Sequence, residues 1–169
     1  MFPFEAKTIA PSERENWLYK HVPYRIQILR GLAIYNEQRG PNGPLLPVFP
    51  CIFEASLVIC RWTANFLGLK FDRRTRTLRR PREREDDDVF VFDLGGTLID
   101  PAELLPEEQA LLISVLEGAN KASAHATIEG SHSMTPGQVK PAAALMIGKI
   151  KTHLYDVLRM QVPEWNRGH

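Results

Sequence analysis

The chain has few cysteines, little net charge and no long uninterrupted hydrophobic run, and each shortage excludes a class of protein. Only two of its 169 residues are cysteine, which excludes a small domain held together by several disulfides. The formal net charge is +1, which argues against a uniformly cationic nucleic-acid-binding protein. The most apolar stretch, residues 44–69, is interrupted by prolines, by Glu54 and by Arg61. We therefore interpret it as a core helix rather than a membrane span.

The two cysteines, Cys51 and Cys60, both fall within that apolar stretch. On a helix their separation corresponds to a rise of about 13 Å, which is too far for a disulfide bond. We therefore expect two buried thiols in a reducing compartment. The first residues lack the basic and apolar regions of a signal peptide. Together these features indicate a cytoplasmic protein that has no membrane partner.

Apolar residues recur mostly at helical spacing, which predicts an all-α protein: one domain over residues 1–169, built as a helical bundle of four to five helices. Ser12 and Glu15 form one predicted capping box, and Thr135 and Gln138 form another. We expect residues 161–169 to be a flexible tail. The predicted helices run from Ser12 to about Val22, from Tyr24 to Arg39, from Pro50 to Leu67, from Pro106 to about Thr127, and from beyond Thr135 to about Met160.

Residues 72–88 form a charged insertion between the third and fourth predicted helices. Separate basic and acidic blocks favour an exposed loop or ribbon. The arginines would bind the phosphates of RNA or DNA, or else pair with the neighbouring acids in a solvated loop. The next four residues, 89–92, predict a short strand or an extended plug against the core. The basic block contains Arg73, Arg74, Arg76, Arg79, Arg80 and Arg82, and the mostly acidic block spans residues 83–88.

Residues 88–100, DVFVFDLGGTLID, resemble the nucleophile motif of haloacid-dehalogenase phosphatases, in which a buried strand ends in Asp-x-Asp-Gly-Thr-Leu. Asp93 matches the phosphoryl acceptor, but Gly95 replaces the acid/base, and the sequence that follows predicts helices rather than alternating strands. The Gly-Gly-Thr run also resembles a phosphate loop of sugar kinases, which belongs to a much longer nucleotide-binding domain. We therefore interpret the match as coincidental and the segment as a turn, with Asp93 or Asp100 capping a helix.

A second resemblance covers about residues 52–128. Its residues are Arg61-Trp-Thr-Ala-Asn-Phe-Leu-Gly68 on one helix, a charged stretch that includes Asp87-Asp-Val, and Asn120-Lys-x-x-x-His125-Ala-Thr on a later helix. This order resembles small bacterial helical proteins related to the HEPN superfamily. The resemblance implies a helical bundle that dimerises, and many members of the superfamily are RNases. Their signature is Arg followed after four to six residues by His, often with a polar residue just after the Arg.

His125 and Asn120 match the histidine and the polar residue of that signature, but Ala119 stands at the arginine position. Metal-independent RNA cleavage needs an acid/base and a cation that stabilises the developing charge, so the pair is incomplete. The resemblance therefore implies a homodimeric, degenerate binding module for RNA or a protein partner, without a cofactor. One alternative is an RNase that uses His125. Another is that Asn120 and His125 make buried hydrogen bonds between helices or line a dimer interface.

A metal-dependent helical enzyme is a further alternative. His125, Glu129 and His132 are close in sequence, and His153 and Asp156 lie on the last predicted helix. His125 and Glu129 are one helical turn apart, so they would be able to bind the same ion. The sequence has no His-x-x-x-His pair, and we therefore predict no metal site.

Overall fold

The computed structural model describes residues 4–39, 48–85, 87–124 and 135–164. Within these ranges the protein is mainly α-helical and contains one two-stranded antiparallel hairpin, which confirms the mainly α class. The helices are α1 Pro11–Asn16, α2 Val22–Arg39, α3 Phe49–Phe66, α4 Pro106–Ala124 and α5 Pro136–Ile150. The strands are β1 Lys70–Asp72 and β2 Thr77–Arg79.

A π-helical turn, Trp17–His21, joins α1 to α2 without a break. The prediction of two separate helices is therefore wrong. The amide of Val22 donates to the carbonyl oxygen of Trp17, so the hydrogen bonding shifts by one residue and Pro23, which has no N–H, fits inside the run. Ser12 is not the capping residue either. The helix begins at Pro11, whose fixed φ suits the first helical position, and no side chain caps it.

Helix α3 contacts α2, α4 and α5, as expected for a helix with apolar residues around most of its surface. Its bounds differ by one residue at each end from those predicted, and the chain leaves it through Gly68, whose φ of +83° is readily adopted only by glycine. Cys60 is buried, and burial raises the pKa of its thiol to about 12. Cys51 is exposed, so the prediction of two buried thiols is wrong for the cysteine on the first turn of the helix.

The Arg-rich part of the insertion is an antiparallel ribbon in which Lys70 pairs with Arg79 and Phe71 with Leu78. The carboxylate of Asp72 accepts hydrogen bonds from the amides of Arg74 (2.9 Å) and Thr75 (3.2 Å), which closes the turn. Leu78 is buried against the core and anchors the ribbon. The ribbon that was predicted as one alternative is thus present.

Residues 91–94 form a 3₁₀ turn, so the prediction of a strand at 89–92 is wrong. The carboxylate of Asp93 accepts the amide proton of Phe90, and Gly95, at φ +89°, then reverses the chain. This hydrogen bond and the reversal at Gly95 produce a turn in a segment whose composition favours a strand. Phe90 and Val91 are nonetheless buried, as expected for a plug against the core.

The second half of the chain follows its predicted capping signals. Asp100 accepts the amide proton of Ala102 (3.0 Å) at the start of a 3₁₀ turn, and Gln138 accepts that of Thr135 (2.9 Å) at the start of α5. The predicted end of the fourth helix near Thr127 lies outside the described residues. Helix α5 continues into a second π-helical turn, Lys151–Asp156.

The core lies among α2, α3, α4, α5 and the second π-helical turn, and Tyr155 is the largest side chain that is fully buried in it. Val162 packs against this core, whereas residues 165–169 of the predicted flexible tail lie outside the described residues. Within the described residues, no helix has both the length and the hydrophobicity needed to cross a membrane.

Candidate functional site

A cavity of about 470 Å³ opens where α3 and α4 meet the ribbon and the irregular residues 81–85 and 87–90. Its size falls within the range of small-ligand sites. Asn120 lines it from α4, which places one of the sequence-predicted site residues at the cavity. The lining also includes Trp17 from the first π-helical turn, Arg61, Trp62, Asn65 and Phe66 from α3, Lys70 and Phe71 from β1, and Leu116 from α4.

Three aromatic rings of the lining stack on one another. Trp62 and Phe66 have ring centroids 4.9 Å apart at an interplanar angle of 12°, and Trp17 lies 6.1 Å from Trp62 and 6.3 Å from Phe66. The guanidinium carbon of Arg25 lies 4.0 Å from the ring centroid of Trp62, a cation–π contact. Burial lowers the pKa of Arg25, which still remains charged. The aromatic residues of the lining therefore form a stack that a cation contacts.

Four acidic residues also line the cavity: Glu83, Glu85, Asp87 and Asp88. Asp88 accepts the amide proton of Glu85 (3.0 Å). The side chains of Glu83, Glu85 and Asp87 form no hydrogen bond or ion pair with any other described residue. Because the described lining contributes four acids against the two cations Arg61 and Lys70, the cavity carries an excess of negative charge.

A buried ion pair, Arg84 with Asp93, holds the acidic segment in position. The Arg84 side chain is 9% exposed and the Asp93 side chain 0%. Besides Arg84, the Asp93 carboxylate accepts the amide protons of Lys7 and Phe90, each at 2.7 Å. Arg84 also donates to the carbonyl oxygens of Glu5 (3.0 Å) and Asp88 (3.1 Å). Asp93, the residue that matches a phosphatase nucleophile, is thus the centre of a structural network.

The two glycines after Asp93 allow the backbone to pack closely against the second π-helical turn. A Cβ atom at Gly96 would lie 2.4 Å from the carbonyl oxygen of His153, and Thr97 donates its amide proton to that same oxygen at 2.8 Å. Thr97 Oγ1 lies 3.2 Å from Nδ1 of His153, whose pKa is lowered chiefly by burial. No strand precedes Asp93 in the described part of the segment. The segment that resembles the phosphatase motif is therefore a structural turn.

The six arginines of the ribbon divide into two groups. Arg76 pairs with Glu117 (2.8 Å), Arg79 with Asp72 (3.1 Å) and Arg80 with Asp100 (2.7 Å). The other three are exposed, and their guanidinium groups have no partner among the described residues. Those three are Arg73, Arg74 and Arg82.

The remaining predicted site residues are spread over the chain. His125, Glu129 and His132 lie outside the described residues. His153 contacts Thr97, and Asp156 pairs with Lys151 (2.9 Å). The part of the chain that the structure describes contains no group of three side chains able to hold a metal ion.

The sequence did not predict the roles of Lys7 and Arg84, which hold the acidic segment in position. Arg84 is the single base within residues 83–88, a signal that would have justified asking what it pairs with. Lys7 carries no such signal, because its backbone amide makes the contact with Asp93.

Comparison of the chain with protein-family models, with curated proteins and with solved structures finds no match.

Proposed function

We propose that this protein is a binding module without catalytic activity, a degenerate relative of HEPN domains, and that a segment of a protein partner occupies its cavity. The observation that carries the proposal is the lining of the cavity, which combines stacked aromatic rings with three acidic residues whose side chains have no described partner. Concave sites that combine aromatic surface with a few converging polar groups are typical binding sites. The carboxylates favour a protein over RNA, because they would repel phosphate groups.

The absence of catalysis is supported by the environment of Ala119. This residue stands where the HEPN signature has arginine, and it is 1% exposed within the core. The described lining of the cavity includes no histidine. An RNase that uses His125 remains the enzymatic alternative, and a metal-dependent enzyme is the other.

A second candidate partner is RNA, and one observation favours it. The three arginines without described partners, Arg73, Arg74 and Arg82, lie in or beside the exposed ribbon, where they are free to contact phosphates. Such binding would take place on the ribbon rather than inside the acidic cavity.

The proposal includes three further expectations: that the helices form a bundle, that the protein is a homodimer, and that it is cytoplasmic. The dimer follows from the HEPN resemblance, and the cytoplasmic location is consistent with two free cysteines in one helix. Light scattering coupled to size-exclusion chromatography tests the dimer directly.

The central experiment measures binding of the purified protein to an array of short capped peptides of varied charge and to a labelled single-stranded RNA. Asn65→Trp places an indole in the cavity, and Val58→Trp makes the same addition at an exposed position of α3 that does not line it. We expect the first substitution to abolish peptide binding and the second to preserve it. Equal binding by both variants would exclude the cavity as the site.

The alternatives are tested on the same samples. RNA binding that is lost when Arg73, Arg74 and Arg82 are replaced by glutamine, but kept when the exposed cations Lys20, Arg30 and Lys140 are replaced, would favour the ribbon. Cleavage that disappears in His125→Ala would establish an RNase. Stoichiometric zinc, iron or manganese in the purified protein would support the metal-dependent alternative.

A further inference from the structure

We infer that the cavity receives the cationic side chain of an arginine or a lysine from a basic segment of the partner. This inference rests on the proposed function and specifies the chemistry of its partner. It begins with Glu83, Glu85 and Asp87, which line one cavity and whose carboxylates have no described ion-pair partner. The three residues are exposed to solvent, so their charges are available to a cation that enters the cavity, whose described lining holds more acids than bases.

The aromatic residues of the lining also favour a cationic side chain. Rings of tryptophan and phenylalanine attract a guanidinium or ammonium group through their negative faces. The fold already contains two such cation–π contacts. The guanidinium carbon of Arg25 lies 4.0 Å from the ring centroid of Trp62. That of Arg84, which pairs with Asp93, lies 5.2 Å from the ring centroid of Phe90 and 5.5 Å from that of Phe92. A ligand arginine between the stacked rings and the free carboxylates would repeat the pattern formed by Arg84.

Other ligands fit the cavity less well. A divalent metal ion needs several converging ligands, and the described residues contain no such group. A phosphate would meet four carboxylates against only two cations. A neutral ligand would gain nothing from the excess of acids over bases in the lining. A basic peptide segment suits both kinds of lining residue, because its cationic group pairs with the acids and its methylene groups cover the rings.

Isothermal titration calorimetry with three capped hexapeptide probes tests the inference: alternating glycine–arginine, glycine–glutamate and glycine–serine. The test variant carries Glu83→Gln, Glu85→Gln and Asp87→Asn. Its matched control carries Glu15→Gln, Glu54→Gln and Glu107→Gln, which removes the same charge from exposed positions that do not line the cavity. Asp88 is left intact because its carboxylate holds the amide of Glu85.

We expect only the arginine probe to bind the wild type, and we expect the test variant to bind it about tenfold more weakly, since three exposed charge pairs are lost. The control variant should bind within about twofold of the wild type, because its three positions do not line the cavity and salt screens exposed charges. Equal weakening by both variants would overturn the inference, since it would show a response to net charge alone.

The remaining outcomes separate this inference from the function on which it rests. If a neutral or acidic peptide binds best and Asn65→Trp abolishes that binding, the binding module stands and the cationic ligand is wrong. If no peptide binds, both are wrong. Thermal unfolding followed by circular dichroism confirms that each variant is folded, so that a loss of binding is not a loss of structure.

Discussion

The hydroxyl group of Tyr155 donates a hydrogen bond of 2.8 Å to the backbone carbonyl oxygen of Leu18. Each residue lies in one of the two π-helical turns. The carbonyl of Leu18 lacks its usual backbone donors, because Val22 donates to Trp17 and Pro23 has no N–H. A side chain from the other end of the chain thus supplies the donor that the proline removes.

Replacement of Tyr155 by phenylalanine should lower the free energy of unfolding by about 1–3 kcal/mol, because it leaves a buried carbonyl oxygen without its donor. Urea denaturation of the variant and the wild type measures the difference. Tyr19→Phe removes a hydroxyl group from a residue that is 52% exposed and is the matched control. A loss of the same size in both variants would contradict the role assigned to the bond.

Replacement of Asp93 by asparagine should cost about 3–5 kcal/mol of stability, because the guanidinium group of Arg84 would remain buried without its counter-ion. Asp156→Asn breaks the exposed pair with Lys151 and should cost less than about 1 kcal/mol. Both values come from chemical denaturation. If Asp93→Asn folded as stably as the wild type and instead abolished a phosphatase activity, Asp93 would be a nucleophile rather than a structural residue.

Replacement of Gly96 by alanine should destabilise the protein by about 1–3 kcal/mol, because the added methyl group would meet a backbone oxygen that cannot move aside. At Gly148, within α5, an added Cβ meets nothing within 4 Å. Gly148→Ala should therefore raise stability by about 0.4–1 kcal/mol through helix propensity and lower unfolded-state entropy. Opposite signs for the two melting-temperature shifts would confirm the close approach at Gly96.

Acidification should destabilise the fold through His153 and His21. Burial is the main cause that lowers the pKa of each below the ordinary value of 6.5. As the pH falls through 6.5, the unfolded chain therefore binds protons before the folded chain does, and the free energy of unfolding decreases. Urea denaturation at pH values on either side of 6.5 measures this slope. His153→Gln should reduce it, and an unchanged slope would show that His153 does not contribute.

Local sequence signals predicted the parts of the fold whose causes are local. The end of α3 at Gly68, the cap at Asp100 and the start of α5 beyond Thr135 each depend on residues within a few positions of one another. The continuous run through Pro23 was not predictable in this way. Its hydrogen-bond shift is compensated by Tyr155, which is distant in sequence.

The candidate site was likewise predictable only where its causes are local. The sequence identified Asn120 and the charged insertion, but it could not show that Glu83, Glu85 and Asp87 would line the same cavity as Trp62. That arrangement depends on Arg84, Asp93 and the backbone of Lys7, which come together only in the tertiary structure. The catalytic prediction for His125 stays a prediction, because that residue lies outside the described part of the chain.

The network around Asp93 separates the stability of the cavity from that of the helices. Residues 81–85 and 87–90 belong to neither a helix nor a strand, so side chains hold them where regular elements have hydrogen-bonded ladders. The amides of Lys7 and Phe90 share one carboxylate and should therefore exchange their protons with solvent as a single cooperative unit. A preparation with full helical circular dichroism can thus still lack a formed cavity, and protection of these two amides is the sign that the binding site is intact.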